Sequence, residues 1–439
     1  MEKVLQLIKT NLVTLLNAGS LVGTTLVTSV LGFAYWLFAA RLFTPQAVGL
    51  ASAMIDAMLL LGTFGVVGLG TLLTGELPRQ PQKAGSLISV ALIVVGVVGI
   101  VLGALFAGTS SFLSKDFRPL SSDGLNILIF ALGVGLTTIT LVLDQALMGL
   151  LRGGLQLWRN TLFAAVKLIV LVAAGFLLAR STGMNIYASW LIGNAVSLVG
   201  LIVFIPFRKK GIGVVLPEWG LLRKLSVAAL EHHLINIILL APPLVLPLLV
   251  TVMISATANA WFYVSFMLAN FVFTLTYALS TVLYAEGAGK PSILARKARL
   301  TLGVAFASSI AANIVFQFGA KLILGIFSHV YADQAAVSLR ILCLAVFPLI
   351  IVSHYITIQR IHNRIIQSIL PITVGTIIEL LGAAIGAHWG GLSGLSSGWI
   401  IGLSIEALFM SPTVYKAIRH VDREPETSES RIVDISTPV

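Results

Sequence analysis

The sequence predicts an all-α integral membrane protein of about twelve transmembrane helices, and two observations carry that prediction. The first is composition: of the 439 residues, 57% are hydrophobic and 10% are charged, and the mean hydropathy is +1.00. Soluble domains carry roughly 25% charged residues. The second is that the apolar runs are long enough to cross a bilayer and do not alternate with polar residues, which favours helices over barrel strands.

The spans and their orientation follow from these runs and from the charges between them. The predicted spans are 14–40, 47–73, 84–108, 125–149, 159–179, 186–207, 225–253, 258–284, 299–325, 335–358, 366–388 and 392–415. When successive loops are placed on alternate sides of the membrane, about 21 of the 28 Lys and Arg residues lie on one side, five lie on the other and two lie inside spans. The positive-inside rule then predicts a multi-pass protein of the inner (cytoplasmic) cell membrane with both termini cytoplasmic.

The charge pattern also predicts a division into halves. The most basic loop, Arg208 to Lys224, lies near the middle of the chain and leaves six spans on either side. Transporters built from two repeated lobes show this arrangement. The predicted domains are residues 1–209, residues 210–420 and a disordered cytoplasmic tail, 421–439, which is polar.

Several function classes are disfavoured. The net charge of +11 reflects topology, so anionic membrane lipids are the expected partners and nucleic acid is not. The single cysteine, Cys343, lies in an apolar run and predicts neither a disulfide nor a metal site. The longest outer loop, Thr109 to Gly124, offers only Asp116 and Asp123 as acids, and no nucleotide-binding motif is present. The protein is therefore expected not to be an enzyme.

Three stretches of the first half resemble one family. Ala40 to Ala53 reads Ala-Arg-Leu-Phe-Thr-Pro-Gln-Ala-Val-Gly-Leu-Ala-Ser-Ala, a glycine-rich stretch runs from Gly62 to Arg79, and Leu143 to Gly154 is followed by Trp158-Arg-Asn160. These stretches resemble Wzx-like polysaccharide-biosynthesis flippases of the MATE/MOP transporter superfamily. The pattern of spans agrees with that family along the whole chain.

The resemblance implies a V-shaped pair of six-helix lobes with a central cavity between spans one, two, seven and eight. It implies alternating-access movement of a polyprenyl-pyrophosphate-linked oligosaccharide from the cytoplasmic to the outer leaflet, with no cofactor beyond an H⁺ or Na⁺ gradient. The implied partners are the lipid-linked glycan, membrane lipids and other polysaccharide-assembly proteins. The alternatives are a cation-coupled multidrug or small-molecule exporter of the same fold, a membrane-embedded enzyme of polysaccharide assembly, and a passive channel.

Charges inside the spans are the first candidates for function, because a charge at the bilayer centre costs about 2.5–3.5 kcal/mol on insertion scales. Asp144 and Lys167 lie at matching depths in neighbouring spans, which predicts an ion pair. The functional alternative is a switch in which Lys167 contacts the cargo pyrophosphate when Asp144 releases it.

The candidates for binding a coupling ion are carboxylates, namely Asp56, Asp144, Glu379 and Glu406. Asp56 either binds the ion or is neutral and hydrogen-bonded to a neighbouring helix. Glu379 and Glu406 lie at equal depth, so they either share a proton or a cation, or bond separately to hydroxyls such as those of Thr376 and Ser404.

Polar stripes on spans one and eight predict a hydrated cavity, with interhelical hydrogen bonds as the alternative. Span one carries Asn17, Ser20, Thr24 and Thr28, and span eight carries Asn270, Thr274 and Tyr277. Near the outer ends of spans one and ten, Arg41 and Arg340 are expected to reach the membrane interface or to bind an anionic cargo as it leaves.

Span seven carries the remaining candidates. A polar cluster stands at its start, formed by Glu231, His232, His233 and Asn236. These side chains are expected either to lie at the membrane interface or to form a cavity mouth that binds head-group phosphate or sugar. Metal binding is not expected, because adjacent residues of a helix point about 100° apart. Further along, Pro242, Pro243 and Pro247 interrupt the helical hydrogen bonds and predict a gate or a static kink.

Overall fold

The computed structural model describes residues 2–178, 182–207, 227–287 and 294–419, and every regular element in these ranges is helical. The first half contains α1 (Glu2–Leu42), α2 (Pro45–Gly65), α3 (Leu69–Glu76), α4 (Ala84–Leu113), α5 (Arg118–Ser121), α6 (Gly124–Gly149), α7 (Gly153–Leu177) and α8 (Gly183–Phe207). The second half contains α9 (Val227–Met253), α10 (Ala256–Gly287), α11 (Leu294–Gly325), α12 (His329–Leu344), α13 (Val346–Ile361) and α14 (Ile369–Arg419).

Twelve helical crossings follow from these elements. The described residues contain 11 stretches long and apolar enough to span a membrane, and α12 and α13 together form one of them. The last stretch contains two helices, because α14 leaves helical geometry at Gly390 and Gly391. Gly391 has φ +57°, a left-handed conformation that glycine adopts without strain. The predicted class, a multi-pass all-α membrane protein, is confirmed, whereas the predicted boundary at 209/210 and the tail 421–439 lie outside the described residues.

The two arms of α14 pack backbone against backbone. A Cβ atom at Gly382 would lie 2.5 Å from the carbonyl oxygen of Gly398, and one at Gly386 would overlap the backbone of Gly394. Small residues let membrane helices approach this closely. The close packing sets residues on the two arms opposite each other at the same depth.

Successive crossings run in opposite directions, so the connections fall at two ends of the bundle. We call the end that carries Arg79, Lys83, Arg360 and Arg364 the basic end. The neutral end is the one where α1 turns into α2 and α9 turns into α10. Between the two halves of the chain, α2 packs against both α9 and α10, whereas α1 and α10 are in much looser contact.

Candidate functional site

The two halves are joined tightly at the neutral end. Gly49 of α2 leaves no room for a side chain, because a Cβ atom there would overlap the carbonyl oxygen of Ala256 at the start of α10. Asn259 of α10 donates from Nδ2 to the Gly49 carbonyl at 2.8 Å and to the Ser52 hydroxyl at 3.0 Å. Asp116, from the connection after α4, accepts the Ala256 N–H at Oδ2, 2.6 Å away. We call these contacts the neutral-end closure.

Arg41 and several aromatic rings extend this closure. The Arg41 guanidinium donates to the Ile326 carbonyl at 2.6 and 3.0 Å, which links α1 to the end of α11. Arg41 therefore joins the two halves, and both its position at the membrane interface and its binding of an anionic cargo stay predictions. One layer deeper, the ring centroids of Trp36 and Tyr263 lie 4.5 Å apart across the halves.

Asp116→Ala is expected to loosen the neutral-end closure. Hydrogen bonds to charged groups contribute about 1.5–3 kcal/mol. Loss of the bond between Asp116 and the Ala256 N–H should therefore shift the population at least about tenfold toward conformers with a separated neutral end. Spin labels at Gln46 and Met253 would report the distance between the halves. The control is Asp123→Ala, because the Asp123 carboxylate accepts from Leu125 of the adjoining helix α6, at 3.1 Å, and not from the second half of the described chain. Equal distance distributions for both variants would contradict the assignment.

A cleft lies between α1 and α10. It begins at the neutral-end closure and opens toward the basic end. It has a volume of about 250 Å³ and is lined by Thr28, Ser29, Gly32, Phe33, Trp36, Met267, Asn270, Phe271 and Thr274. Exposed apolar side chains of α1 lie close to the lining residues Thr28 and Ser29; Leu26 is 63% and Val30 67% exposed. The cleft therefore places polar groups directly beside a surface suited to hydrocarbon.

The structure brings parts of the two predicted polar stripes together in this cleft. Thr24 and Thr28 each donate to the carbonyl four residues earlier at 2.7 Å, and Asn270 and Thr274 do the same at 2.9 and 2.8 Å. Among the described residues, these side chains thus bond within their own helices. The side chain of Asn17 lies outside the described residues.

A second cavity of about 490 Å³ lies within the second half and adjoins the cleft, since Asn270 lines both. Its other lining residues include Pro242, Pro243, Tyr277, Arg360, Glu379, Trp399 and Glu406. Helix α9 runs unbroken through Pro242, Pro243 and Pro247, so the prolines form part of a continuous helix whose role as a gate stays a prediction.

The cavity contains a pair of carboxyl groups, one on each arm of α14. Glu379 and Glu406 are hydrogen-bonded to each other and are 5% and 4% exposed. Trp399 donates its indole N–H to Glu379 Oε2 at 2.7 Å. Ser404 donates to the Ile400 carbonyl and not to either glutamate, and the sharing of a proton or a cation by the pair stays a prediction. A hydrogen bond between two carboxyl groups requires at least one proton.

The predicted ion pair between Asp144 and Lys167 is wrong. Asp144 is held by Arg159, whose Nε and Nη2 lie 3.1 and 2.7 Å from its two carboxylate oxygens, and by Asn160 at 3.2 Å. The reason is depth: the predicted span began at residue 159, whereas α7 begins at Gly153. Arg159 is thus the residue level with Asp144, and Lys167 lies about 12 Å further along the helix at 1.5 Å per residue.

Lys167 lies instead in a cage of aromatic rings. Its Nζ is 3.5 Å from the ring centroid of Trp190, 4.6 Å from that of Phe163 and 4.9 Å from that of Tyr35. The side chain is 5% exposed and has no ion pair with a described residue. Cation–π contacts of this kind contribute about 0.5–2 kcal/mol. Tyr35 of this cage also packs against Trp36, which lines the cleft, with ring centroids 5.3 Å apart.

Asp56 lies on α2 beside Tyr263, close to the closure between the halves. It is 4% exposed, and its Oδ2 has no hydrogen-bond partner among the described residues. Its role as a coupling-ion site stays a prediction.

The other candidates lie apart from the two cavities. His233 contacts the backbone of Thr63 and Phe64 at the basic end of α2, and Asn236 is exposed. Arg340 and Gln317 bond reciprocally through side chain and backbone at 2.9 and 2.8 Å, which fixes α12 to α11. The side chains of Glu231 and His232 lie outside the described residues.

Comparison with known proteins gives matches in structure only. No family model matches the sequence, and no curated protein matches it either. A multidrug resistance MATE family transporter of the MOP superfamily, in an inward-facing conformation, superposes with a TM-score of 0.72 at 15% identity, covering 89% of this chain and 95% of that one.

Two further structures agree. A MOP superfamily transporter from Pyrococcus furiosus Vc1, described as having a binding pocket of reverse polarity, gives a TM-score of 0.59 at 14% identity, with coverage of 94% and 96%. MATE in the straight conformation gives 0.59 at 14% identity, with coverage of 92% and 96%. The chain therefore has the fold of the MATE/MOP superfamily transporters, with two six-helix lobes in a V-shaped arrangement.

Proposed function

We propose that this protein is an alternating-access flippase that moves a polyprenyl-pyrophosphate-linked oligosaccharide from the cytoplasmic to the outer leaflet. The observation that carries the proposal is the cleft between α1 and α10. Its polar lining, with Thr28, Asn270 and Thr274, suits a head group, and the exposed Leu26 and Val30 beside it suit an isoprenoid tail that stays in the bilayer.

The boundary between the halves is closed where α2 packs against α9, which supports lateral access of the cargo from the α1–α10 side only. Helices α2 and α9 pack against each other, so the cleft between α1 and α10 is the looser boundary between the halves. Lys167 supports an anionic cargo, because its ammonium group lies in an aromatic cage that reaches Tyr35 of α1 and has no carboxylate partner among the described residues. A movement of α1 that shifts Tyr35 would bring this charge into contact with a pyrophosphate.

The neutral-end closure supports an inward-facing state. With the positive-inside assignment, the basic end is cytoplasmic and the neutral end is external. The transporter with the TM-score of 0.72 is itself inward-facing. In this proposal the cargo enters from the basic end, the neutral-end closure then separates, and the cargo leaves into the outer leaflet.

The second candidate function is a cation-coupled exporter of amphipathic small molecules. The observation that favours it is the cavity of the second half, in which Glu379, Glu406 and the rings of Trp399 and Tyr277 form a site suited to an organic cation. A drug-sized ligand fills a pocket of about 300–1,000 Å³, and this cavity measures about 490 Å³.

The experiment is transbilayer movement of a fluorescent polyprenyl-pyrophosphate saccharide in proteoliposomes, compared with movement of a fluorescent lipophilic cation. The proposal predicts protein-dependent movement of the glycolipid, slowed about tenfold by Asn270→Leu because a hydrogen bond to the head group is lost. Ser404→Leu is the matched control, since Ser404 is exposed on α14 away from the cleft. Movement of the cation alone would overturn the flippase proposal in favour of the exporter.

A further inference from the structure

We propose that Trp399 is the positioning residue that links protonation of the Glu379–Glu406 pair to movement of α10. Three observations meet at this side chain. Its indole N–H donates to Glu379, its ring packs on α10, and it is 3% exposed, so it has little freedom to make other contacts. The proposal rests on the proposed transport function in one respect, namely that the movement of α10 would be a step of the transport cycle.

The ring of Trp399 touches α10 at two places. Its centroid lies 5.6 Å from that of Phe266 in an edge-to-face arrangement and 6.4 Å from that of Phe273. Phe266 lies two helical turns from Asn259, which bonds Gly49 across the neutral-end closure. One indole therefore connects the carboxyl pair to the helix that holds the two halves together.

The proposed chemical step is the gain or loss of one proton by the Glu379–Glu406 pair. With one proton the pair carries a single negative charge, and the indole donor favours the ionised form of Glu379, which places the proton on Glu406. A second proton from the aqueous phase neutralises Glu379 and weakens its acceptance of the Trp399 N–H, because hydrogen bonds to charged groups are the stronger ones. Release of that proton restores the bond, and no other reactant is consumed.

Room for the pair is provided by one glycine. A Cβ atom at Gly375 would overlap the carboxyl carbon of Glu406, so only glycine lets the Glu406 side chain reach Glu379. Gly375→Ala therefore disrupts the pair without removing either carboxyl group. This gives a second variant that is independent of Trp399.

Other titratable groups around the pair are fixed in position by the same fold. Tyr277 and Tyr284 of α10 and Arg360 of α13 line the cavity with the pair. His354 of α13 is turned toward α11, with Nε2 3.2 Å from the Thr301 hydroxyl.

On the neighbouring helices, two further groups lie away from the pair. Arg340 of α12 is bonded to Gln317 of α11, and His233 of α9 contacts the end of α2. Of the fixed positive charges in the described ranges, Arg360 is thus the one that lines this cavity.

The test is a pH titration of the full-length protein in lipid, with the proton as the only ligand. Infrared spectroscopy detects the carbonyl band of a protonated carboxyl group, and Glu406→Gln identifies the band of the pair by its loss. Trp399→Phe keeps an aromatic ring but removes the N–H, so the titration midpoint should move up by about one pH unit, a tenfold change in proton affinity. Trp389→Phe is the control, because Trp389 is 83% exposed on the other arm of α14.

A second readout follows the neutral-end closure, to which α10 contributes Asn259. In the wild type, the distance between labels at Gln46 and Met253 should change over the same pH range as the carboxyl band. In Trp399→Phe and in Gly375→Ala this coupling should be lost. An unchanged midpoint in Trp399→Phe, a band that persists in Glu406→Gln, or a distance that still follows pH in Trp399→Phe would each overturn the proposal. None of these readings requires cargo, so failure of the flippase assay leaves them interpretable.

Discussion

Gly49→Leu is expected to abolish transport and to hold the protein with its neutral end open. The carbonyl oxygen of Ala256 occupies the place that a Cβ atom would take, and both groups belong to the backbone, so neither can rotate away. The Asn259 bond to the Gly49 carbonyl would be lost with the close approach of the helices. Labels at Gln46 and Met253, in a background in which the single cysteine Cys343 is replaced by Ser, would report a longer distance than in the unsubstituted Gly49 protein.

The control for this variant is Gly303→Leu. A Cβ atom at Gly303 meets nothing within 4 Å, so the same substitution there adds volume without a clash. We expect Gly303→Leu to transport at the wild-type rate and to show the wild-type distance. If Gly49→Leu behaved in the same way, the neutral-end closure would have no part in the transport cycle.

Asp144→Ala is expected to destabilise the protein by about 3–5 kcal/mol, the usual cost of breaking a buried ion pair from one side. Arg159 is 3% exposed and would keep its charge without its partner. The free energy of unfolding, measured by titrating the protein from mild detergent into dodecyl sulfate, gives the comparison with the wild type.

The double variant Asp144→Ala/Arg159→Leu provides the control. Removing both charges should restore much of the lost stability, because an apolar pair of similar volume is often as stable as a buried ion pair. Asp144→Ala/Lys167→Leu should show no such recovery, since Lys167 lies in the aromatic cage. Recovery by the Lys167 variant and not by the Arg159 variant would restore the pairing that the sequence predicted.

The helices could be predicted from the sequence because their signal is local. A run of apolar residues between charges marks a span wherever its neighbours lie, and the predicted spans 258–284 and 366–388 agree closely with Ala256–Gly287 and the first arm of α14. The equal depth of Glu379 and Glu406 was readable for the same reason, since each residue lies near the middle of its own span. The depth predicted for Lys167 differs from the observed one by the six residues that separate 159 from Gly153.

Contacts between distant segments could not be predicted in this way. Asp116 stood out only as an acid in a short loop, and nothing in its neighbourhood indicates that it accepts from Ala256, 140 residues away. Trp399 was likewise one apolar residue of a span, and its bond to Glu379 depends on the glycine-to-glycine packing within α14. A period of four between Gly382 and Gly386, and again between Gly394 and Gly398, is the signal that could have indicated this packing.

The most direct test of alternating access is a pair of distances between spin labels, measured in the same protein by double electron–electron resonance spectroscopy. Labels at Gln46 and Met253 report the neutral end, and labels at Gly75 and Ala285 report the basic end, each pair spanning the two halves. We predict reciprocal populations: when the neutral-end distance is short the basic-end distance is long, and Gly49→Leu shifts both pairs in opposite directions. Distances at the two ends that lengthen together, or a basic end that does not respond when the neutral end is forced open, would contradict the proposed cycle.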